Sequence, residues 1–211
     1  MIQRVFLVAS ASLLANFLLV GLIAAQNPSP ESDESGPGRK VAPMVVDSPA
    51  ASIGKPVVNF KATDILGHGF DLRRYAAGSP VVIALTSTTC PLCQKYGPTL
   101  AELEKTFLPR GVKFVFINSI ATDSLEEAKQ ASQELGWQGP LLLDRNQELV
   151  NGLSAESTTE VFLLDQELKL CYRGAVDDQY GLGYTKPQPQ TEYLKTAIEQ
   201  LLSEQPVSPK Q

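Results

Sequence analysis

The stretch that decides the fold is residues 81–93, Val-Val-Ile-Ala-Leu-Thr-Ser-Thr-Thr-Cys-Pro-Leu-Cys. The continuous apolar run Val81–Leu85 is typical of a central β-strand that is covered on both faces. After Cys93, apolar side chains recur at helical spacing until Pro109-Arg110-Gly111 ends the pattern. The sequence therefore places two cysteines between a buried strand and an amphipathic helix, which is the context of a redox-active pair.

The two cysteines differ in their expected chemistry because of where they lie on the helix. A thiol attacks as its thiolate, and the free N–H groups at a helix N-terminus stabilise that anion. Cys90 opens the predicted helix, so we expect it to be the nucleophile. Cys93 follows one turn later, within reach of a small disulfide ring, and we expect it to be the resolving cysteine. Pro91 suits the first helical turn, and Leu92 fills the other spacer position.

Apolar runs and turn residues predict the remaining elements. Before the cysteines, a small hairpin is expected from Val57–Ala62 and residues 70–72 around the turn Gly67-His68-Gly69. After them we predict a strand over Val112–Ile117 and then a helix that ends near Gly136. This helix is opened by a capping box at Asp123 or Ser124 with Glu126 or Glu127. The remaining predicted elements are, in order, a strand over Leu141–Leu143, a helix over Gln147–Leu153, a strand pair Val161–Leu164 and Leu168–Tyr172, and a final helix capped by Thr191. This order implies an α/β fold with a mixed central sheet flanked by helices on both faces and an N-terminal hairpin extension.

The N-terminus predicts export. Arg4 precedes the uncharged apolar run Val5–Ala25, which is typical of a cleaved signal peptide or of a retained membrane anchor. Residues 26–52 are rich in Pro, Ser and Glu, and we interpret them as a disordered linker. We expect the folded domain at residues 53–205 and a short tail at 206–211. The domain is then expected outside the cytoplasm, in the periplasm or cell envelope, secreted or tethered through residues 5–25.

Composition argues against several classes of function. The net charge is −5, from 18 basic and 23 acidic residues, and no basic cluster offers a nucleic-acid surface. The single histidine, His68, lies between two glycines and is interpreted as part of a turn. Three cysteines are too few for a four-thiolate zinc site, so we predict neither a metal nor another cofactor.

Several motifs resemble one known superfamily. The stretch Ile53–Asp64 is similar to the usual redoxin opening, and Pro98 matches a proline in the active-site helix. Glu160–Asp165 and Tyr172-Arg173-Gly174 resemble the paired strands near the C-terminus of the family, and Val176–Tyr180 continues a pattern of secreted bacterial redoxin proteins. Over residues 53–205 the chain therefore resembles the thioredoxin-like superfamily, in its exported redoxin (AhpC/TSA-like) branch. The resemblance implies a thioredoxin-like fold and thiol-disulfide exchange, with Pro98 kinking the active-site helix.

The sequence departs from the pattern of this superfamily at three positions. Thr89 replaces the aromatic residue that often precedes the first cysteine, and Ala84 replaces a buried acidic residue that serves the resolving thiol. Thr159 stands where the family has a cis-proline facing the disulfide. Because a cis bond at a non-proline residue costs about 2.5–4 kcal/mol, we expect a trans bond between Thr158 and Thr159 and an altered substrate-facing loop. A hydroxyl of Thr159 near the sulfurs is a further expectation.

Three other residues have simpler interpretations. Cys171 lies in a strand pattern, where an unpaired cysteine is expected to be a small buried hydrophobe. Asp177 and Asp178 are expected to be solvated loop carboxylates rather than metal ligands.

The leading functional hypothesis is dithiol-disulfide exchange with protein thiols or disulfides and a redox donor or acceptor of unidentified nature. Two alternatives stay open. Peroxide could be reduced at Cys90 with Cys93 as resolving thiol; Thr88 and Thr89 offer hydroxyls, although the proline-threonine signature of peroxiredoxins is absent. Alternatively, the chain is a membrane-tethered binding module that keeps the fold with weak redox activity.

Overall fold

The computed structural model describes residues 53–181 and 183–207. The predicted signal or anchor, the predicted linker at residues 26–52 and most of the predicted tail lie outside this range. Among the helices of the described part, none is long and apolar enough to cross a membrane.

The secondary structure follows the predicted order. The elements are β1 (Lys61–Thr63), β2 (Gly69–Asp71), α1 (Leu72–Ala76), β3 (Val81–Thr86), α2 (Pro91–Phe107) with a short 3₁₀ turn (Leu108–Arg110), β4 (Lys113–Asn118), α3 (Leu125–Leu135), β5 (Leu141–Leu143), α4 (Glu148–Gly152), β6 (Val161–Leu164), β7 (Leu170–Gly174), β8 (Tyr180–Gly181), β9 (Tyr184–Thr185) and α5 (Tyr193–Leu202).

The main sheet is mixed, as predicted. Its strand order is β5-β4-β3-β6-β7, with β3, β4 and β5 parallel and β6 and β7 antiparallel to their neighbours. All six residues of β3 are buried, which explains the uninterrupted apolar run at Val81–Leu85. Because β6 runs antiparallel to β3, Ala84 near the end of β3 pairs with Val161 at the start of β6. The segment before β6 is thereby brought to the same end of the sheet as the cysteines.

Helices cover both faces of this sheet, which confirms the predicted layers. Val82 and Ala84 of β3 join a core with apolar residues of α2 and α5, whereas Val81, Ile83 and Leu85 join a second core with α1 and α4. This division follows from the alternation of side chains along a strand. The first of these cores packs α2 against β3.

Two helix boundaries were predicted from local sequence and are confirmed. Ser124 and Glu127 form the capping box of α3, in which each side chain accepts a hydrogen bond from the backbone N–H of the other residue. The same helix ends at Gly136, whose φ of 69° is the left-handed conformation that glycine adopts most easily.

Other boundaries differ. The first strand covers Lys61–Thr63 rather than Val57–Ala62, because Val58 is 82% exposed and the Asn59 side chain instead accepts a hydrogen bond from the N–H of Arg73. The hairpin of β1 with β2 is nevertheless present. Strand β7 begins at Leu170 because Leu168 occupies the turn with a φ of 63°. Helix α1 and the β8–β9 hairpin were not predicted, since both are very short.

Two predictions near the C-terminus were wrong. Thr191 does not cap α5, because the N-cap residue is Glu192 and the N–H of Thr191 donates to Asp178 instead. Asp177 and Asp178 are not solvated, with exposed fractions of 2% and 7%. Asp177 accepts a hydrogen bond from the hydroxyl of Tyr96 on α2, and Asp178 is paired with Lys186. Both carboxylates are therefore part of the packed structure, and the contact of Asp177 with Tyr96 spans 81 residues, so local polarity could not indicate it.

Candidate functional site

The two cysteines of the motif lie where β3 leads into α2. Cys90 is the N-cap residue of α2, with extended backbone angles and a partly exposed side chain, and Pro91 is the first helical residue, as predicted. Cys93 follows one turn later and is 4% exposed. Leu92 packs against the core beside them, and Pro98 lies inside α2, where it was predicted. The exposed and buried thiols therefore have different surroundings.

Thr158 contacts both sulfur atoms from the loop before β6. Its hydroxyl donates a hydrogen bond to Cys90 Sγ over 3.4 Å, and its carbonyl oxygen accepts one from Cys93 Sγ over 3.0 Å. Thr159, in contrast, is half-buried like Thr158, but its hydroxyl pairs with Ser157 Oγ at 3.1 Å. The expectation that Thr159 would place a hydroxyl near the sulfurs was wrong, because the hydroxyl that contacts Cys90 Sγ is that of Thr158. The predicted trans bond at Thr158-Thr159 is confirmed, since every described peptide bond is trans.

The surroundings of Cys90 favour its thiolate. Burial by itself raises the pKa of Cys90, but the hydrogen bond from the Thr158 hydroxyl, the N–H groups of Cys93 and Leu92 and the Cys93 thiol outweigh burial. The net pKa of Cys90 is lowered from its ordinary value. A thiolate accepting N–H groups at a helix N-terminus is the arrangement of a reactive cysteine.

The surroundings of Cys93 favour its protonated form. Burial, with a smaller contribution from the adjacent Cys90, raises the pKa of Cys93 to about 12 against the lowering hydrogen bonds of the Thr158 side chain and the Ser87 backbone. Ala84, at the position of the family's acidic residue, is fully buried in β3 and has no proton-accepting group. Cys93 also lines a cavity of about 380 Å³ between α2 and α3, whose walls include Gln94 and Glu134.

An ion pair holds the Thr158 loop in place. Glu160 accepts a hydrogen bond from the N–H of Glu156 at 2.9 Å and pairs with Arg173 of β7 at 2.6 Å. Arg173 also donates to the carbonyl of Ser154 at 2.9 Å. Both ends of the loop are therefore tied to β7. The resemblance had marked Glu160 and Arg173 as family motif residues, but neither had been assigned to the site.

Sequence reasoning also missed Asp123, which it considered only as a possible cap of α3. Ser124 is the cap, and Asp123 instead turns its buried carboxylate toward the segment before Cys90, where it accepts a hydrogen bond from Thr89 Oγ1 at 2.6 Å. Thr89, predicted as a supporting residue, is thus in contact with a carboxylate from another loop. No local signal could have revealed this contact, because the two residues are 34 positions apart.

Cys171 lies outside this site. It is partly buried rather than fully buried, packs against the core that includes α2, and has its Sγ 3.6 Å from the carbonyl of Lys169. Within residues 53–181 and 183–207, no group of three or more His, Cys, Asp or Glu side chains is placed to hold a metal ion.

Comparison with known families gives a match over most of this domain. The model of the AhpC/TSA family matches residues 53–173. No curated protein matches this chain.

Solved structures give a consistent fold. An uncharacterized conserved protein from Geobacillus kaustophilus is 30% identical, with a TM-score of 0.67 over 76% of this chain and 87% of that chain. A hypothetical protein from Sinorhizobium meliloti is 25% identical, with a TM-score of 0.68 over 76% and 89% of the two chains. The thioredoxin domain of a thiol-disulfide oxidoreductase from Bacteroides vulgatus is 16% identical, with a TM-score of 0.54 over 71% and 98%. The predicted thioredoxin-like fold is therefore confirmed.

Proposed function

This chain belongs to the AhpC/TSA family of redoxins, and we propose that it is a thiol-disulfide oxidoreductase in which Cys90 is the nucleophile and Cys93 the resolving thiol. The observation that supports this most directly is the asymmetric contact of Thr158 with the two sulfurs. Its hydroxyl donates to Cys90, and its carbonyl accepts from Cys93. The Thr158 hydroxyl thus favours a thiolate at Cys90, while burial keeps Cys93 a thiol.

The exchange proceeds in two steps. The Cys90 thiolate attacks one sulfur of a partner disulfide, which forms a mixed disulfide and releases the other partner sulfur as a thiolate. Cys93 then loses its proton and attacks Cys90 Sγ, which releases the second partner thiolate and leaves a disulfide between Cys90 and Cys93. The partner gains two electrons and the dithiol loses two. The reverse sequence oxidises a partner dithiol.

The proposal includes the partners and the place of action. Partly exposed Cys90 at the end of the sheet suits protein thiols or disulfides, which are too large for an enclosed site. A second redox protein or small thiol is needed to return the pair to its starting state. The apolar run Val5–Ala25 after Arg4 supports action outside the cytoplasm, with attachment to the membrane if this run is retained.

The test is a titration of the full-length protein against glutathione redox buffers, with alkylated thiols counted by mass spectrometry. We expect one internal disulfide between Cys90 and Cys93, with Cys171 alkylated throughout. Cys90→Ser should abolish exchange, and Cys171→Ser is the matched control that should leave it intact. If wild-type Cys90 and Cys93 remain two separate thiols in every buffer, the proposed exchange is wrong and the binding-module alternative gains support.

Peroxide reduction is a second candidate, supported by family membership and by the Thr158 hydroxyl beside Cys90. The Cys90 thiolate would attack one peroxide oxygen, release water after protonation and become a sulfenic acid. Cys93 would then displace a second water to form the disulfide. The Thr89 hydroxyl, however, is engaged by Asp123. Rapid consumption of hydrogen peroxide that requires Cys90 would support this candidate, and disulfide cycling without peroxide consumption would exclude it.

A further inference from the structure

The carboxylate of Asp123 accepts hydrogen bonds from the loop that leads into Cys90 and from the end of β4. It follows β4, is 1% exposed, and accepts four hydrogen bonds of 2.6–2.8 Å. The donors are the hydroxyls of Ser87 and Thr89, the backbone N–H of Thr88 and the side-chain amide of Asn118. Three of these donors share Oδ2 and the Thr89 hydroxyl reaches Oδ1, so both carboxylate oxygens are engaged.

Ser87 transmits this contact to the cysteine. Its hydroxyl donates its one proton to Asp123 at 2.8 Å, so its lone pairs are free to accept hydrogen bonds. They accept from the backbone N–H of Cys90 at 3.1 Å and of Thr89 at 3.2 Å. Because the single proton is committed to Asp123, the carboxylate sets the orientation of the oxygen that holds the Cys90 backbone.

The backbone of Cys90 in turn sets where its sulfur lies. Cys90 is the N-cap residue of α2, and its extended conformation places Sγ beside the N–H groups of Leu92 and Cys93, which lower its pKa. A rotation of this residue would remove the sulfur from those donors and from the Thr158 hydroxyl.

We propose that Asp123 is a positioning residue for the dithiol, which acts through the Ser87 hydroxyl to hold Cys90 at the start of α2 with its sulfur on the thiolate-stabilising donors. This role rests on the proposed function and extends it to a residue that touches neither sulfur. Removal of the Asp123 carboxylate would therefore affect Cys90 through the position of its backbone and sulfur rather than through direct contact.

The sign of the effect distinguishes positioning from simple electrostatics. A negative charge near Cys90 disfavours a thiolate, so the loss of that charge alone would lower the pKa of Cys90. Loss of position removes hydrogen bonds to the thiolate and raises the same pKa. The two roles of Asp123 therefore predict shifts in opposite directions for one substitution.

The test measures the pH profile of Cys90 alkylation by iodoacetamide in the full-length protein, with the modified peptide identified by mass spectrometry. We expect Asp123→Asn and Ser87→Ala to move the midpoint to higher pH, equivalent to a roughly threefold to tenfold lower thiolate fraction, as for one lost hydrogen bond. At pH values above the midpoint the variants should become as reactive as the wild type. Ser87→Thr keeps a hydroxyl and should restore the wild-type profile.

Asp144→Asn is the matched control, because Asp144 is also a buried carboxylate but accepts the N–H groups of Leu149 and Val150 at the start of α4. This substitution should leave the Cys90 profile unchanged. A lower midpoint in Asp123→Asn, or equal shifts in Asp123→Asn and Asp144→Asn, would overturn the proposal. If Asp123→Asn fails to fold, Ser87→Ala alone decides, and an unshifted midpoint there overturns the proposal. A shifted profile in a protein that never forms the internal disulfide would support this positioning and contradict the proposed exchange.

Discussion

The hydroxyl of Thr158 donates a hydrogen bond to Cys90 Sγ across a separation of 68 residues. The contact exists because the antiparallel pairing of β6 with β3 brings the loop before β6 to the end of the sheet where α2 begins. It places a donor against the sulfur that the helix N-terminus already favours as a thiolate. A loop that departs from the family pattern at Thr159 therefore still contacts the dithiol through the preceding residue.

Replacement of Thr158 by Val should raise the pKa of Cys90, because the isosteric side chain removes the hydroxyl donor and keeps the shape. We expect the thiolate fraction below the midpoint to fall by roughly threefold to tenfold, the effect of one lost hydrogen bond. Ultraviolet absorbance of the thiolate during a pH titration measures this shift. Thr159→Val is the matched control, since its hydroxyl bonds Ser157 only, and an equal shift in both variants would contradict the assigned contact.

The resolving step should accelerate with pH over a wide range. Burial raises the pKa of Cys93 to about 12, and the buried Ala84 side chain has no group that accepts a proton. Below that pKa the thiolate fraction grows about tenfold for each pH unit. A mixed disulfide of Cys90 with a chromogenic aromatic thiol should therefore release that thiol at a rate whose logarithm rises with a slope of about one between about pH 6 and 9. A plateau near neutral pH would reveal another group that accepts the proton of Cys93.

Loss of the ion pair behind the Thr158 loop should destabilise the domain. In Arg173→Met, the side chain of Glu160, which is only 10% exposed, loses its partner at 2.6 Å. We expect the free energy of unfolding to fall by about 3 kcal/mol, the lower end for one lost member of a buried pair. Chemical denaturation measures this change. Lys195→Met is the control, because its pair with Glu192 is largely exposed and should contribute less than about 1 kcal/mol.

Asp177 and Asp178 should respond to pH with opposite signs. Burial raises the pKa of Asp177, with further increases from Asp178 and Glu192, against the lowering by hydrogen bonds from Gln179 and Tyr96. A carboxyl group whose pKa is raised on folding contributes stability that is fully present below its pKa in the unfolded chain, about 3.9. This contribution is lost as the pH rises through the pKa of the group in the folded protein. The Asp177→Asn variant has no such carboxyl group and does not lose stability in this way. Its free energy of unfolding relative to that of the wild type should therefore increase from about pH 4 to 7.

The pKa of Asp178 is lowered, because the hydrogen bonds from Lys186, Thr191 and Gln190 outweigh the raising effect of burial. Its contribution is present above the unfolded pKa and is lost as pH falls through the folded pKa. Asp178→Asn should therefore reduce stability at neutral pH and have less effect in acid. Thermal unfolding of both variants across this pH range provides the measurement, and parallel profiles for the two substitutions would contradict these assignments.

Local sequence was sufficient for the framework of this protein. The apolar run at Val81–Leu85 predicts a buried strand, and the position of Cys90 before Pro91 predicts a helix N-terminus. The capping box at Ser124 and the glycine at Gly136 likewise define α3. These predictions hold because each depends on the chemistry of residues within about one helical turn or one strand.

Contacts between distant segments were decided only by the tertiary structure. Thr158 rather than Thr159 donates to Cys90, Asp123 faces the loop before that cysteine rather than capping α3, and Asp177 is buried against Tyr96. The sequence specifies the polarity of these side chains, but their partners depend on which strands pair and in what register. The fold places the Thr158 hydroxyl at Cys90 and the Thr159 hydroxyl against Ser157, and burial then determines which carboxylates must be hydrogen-bonded.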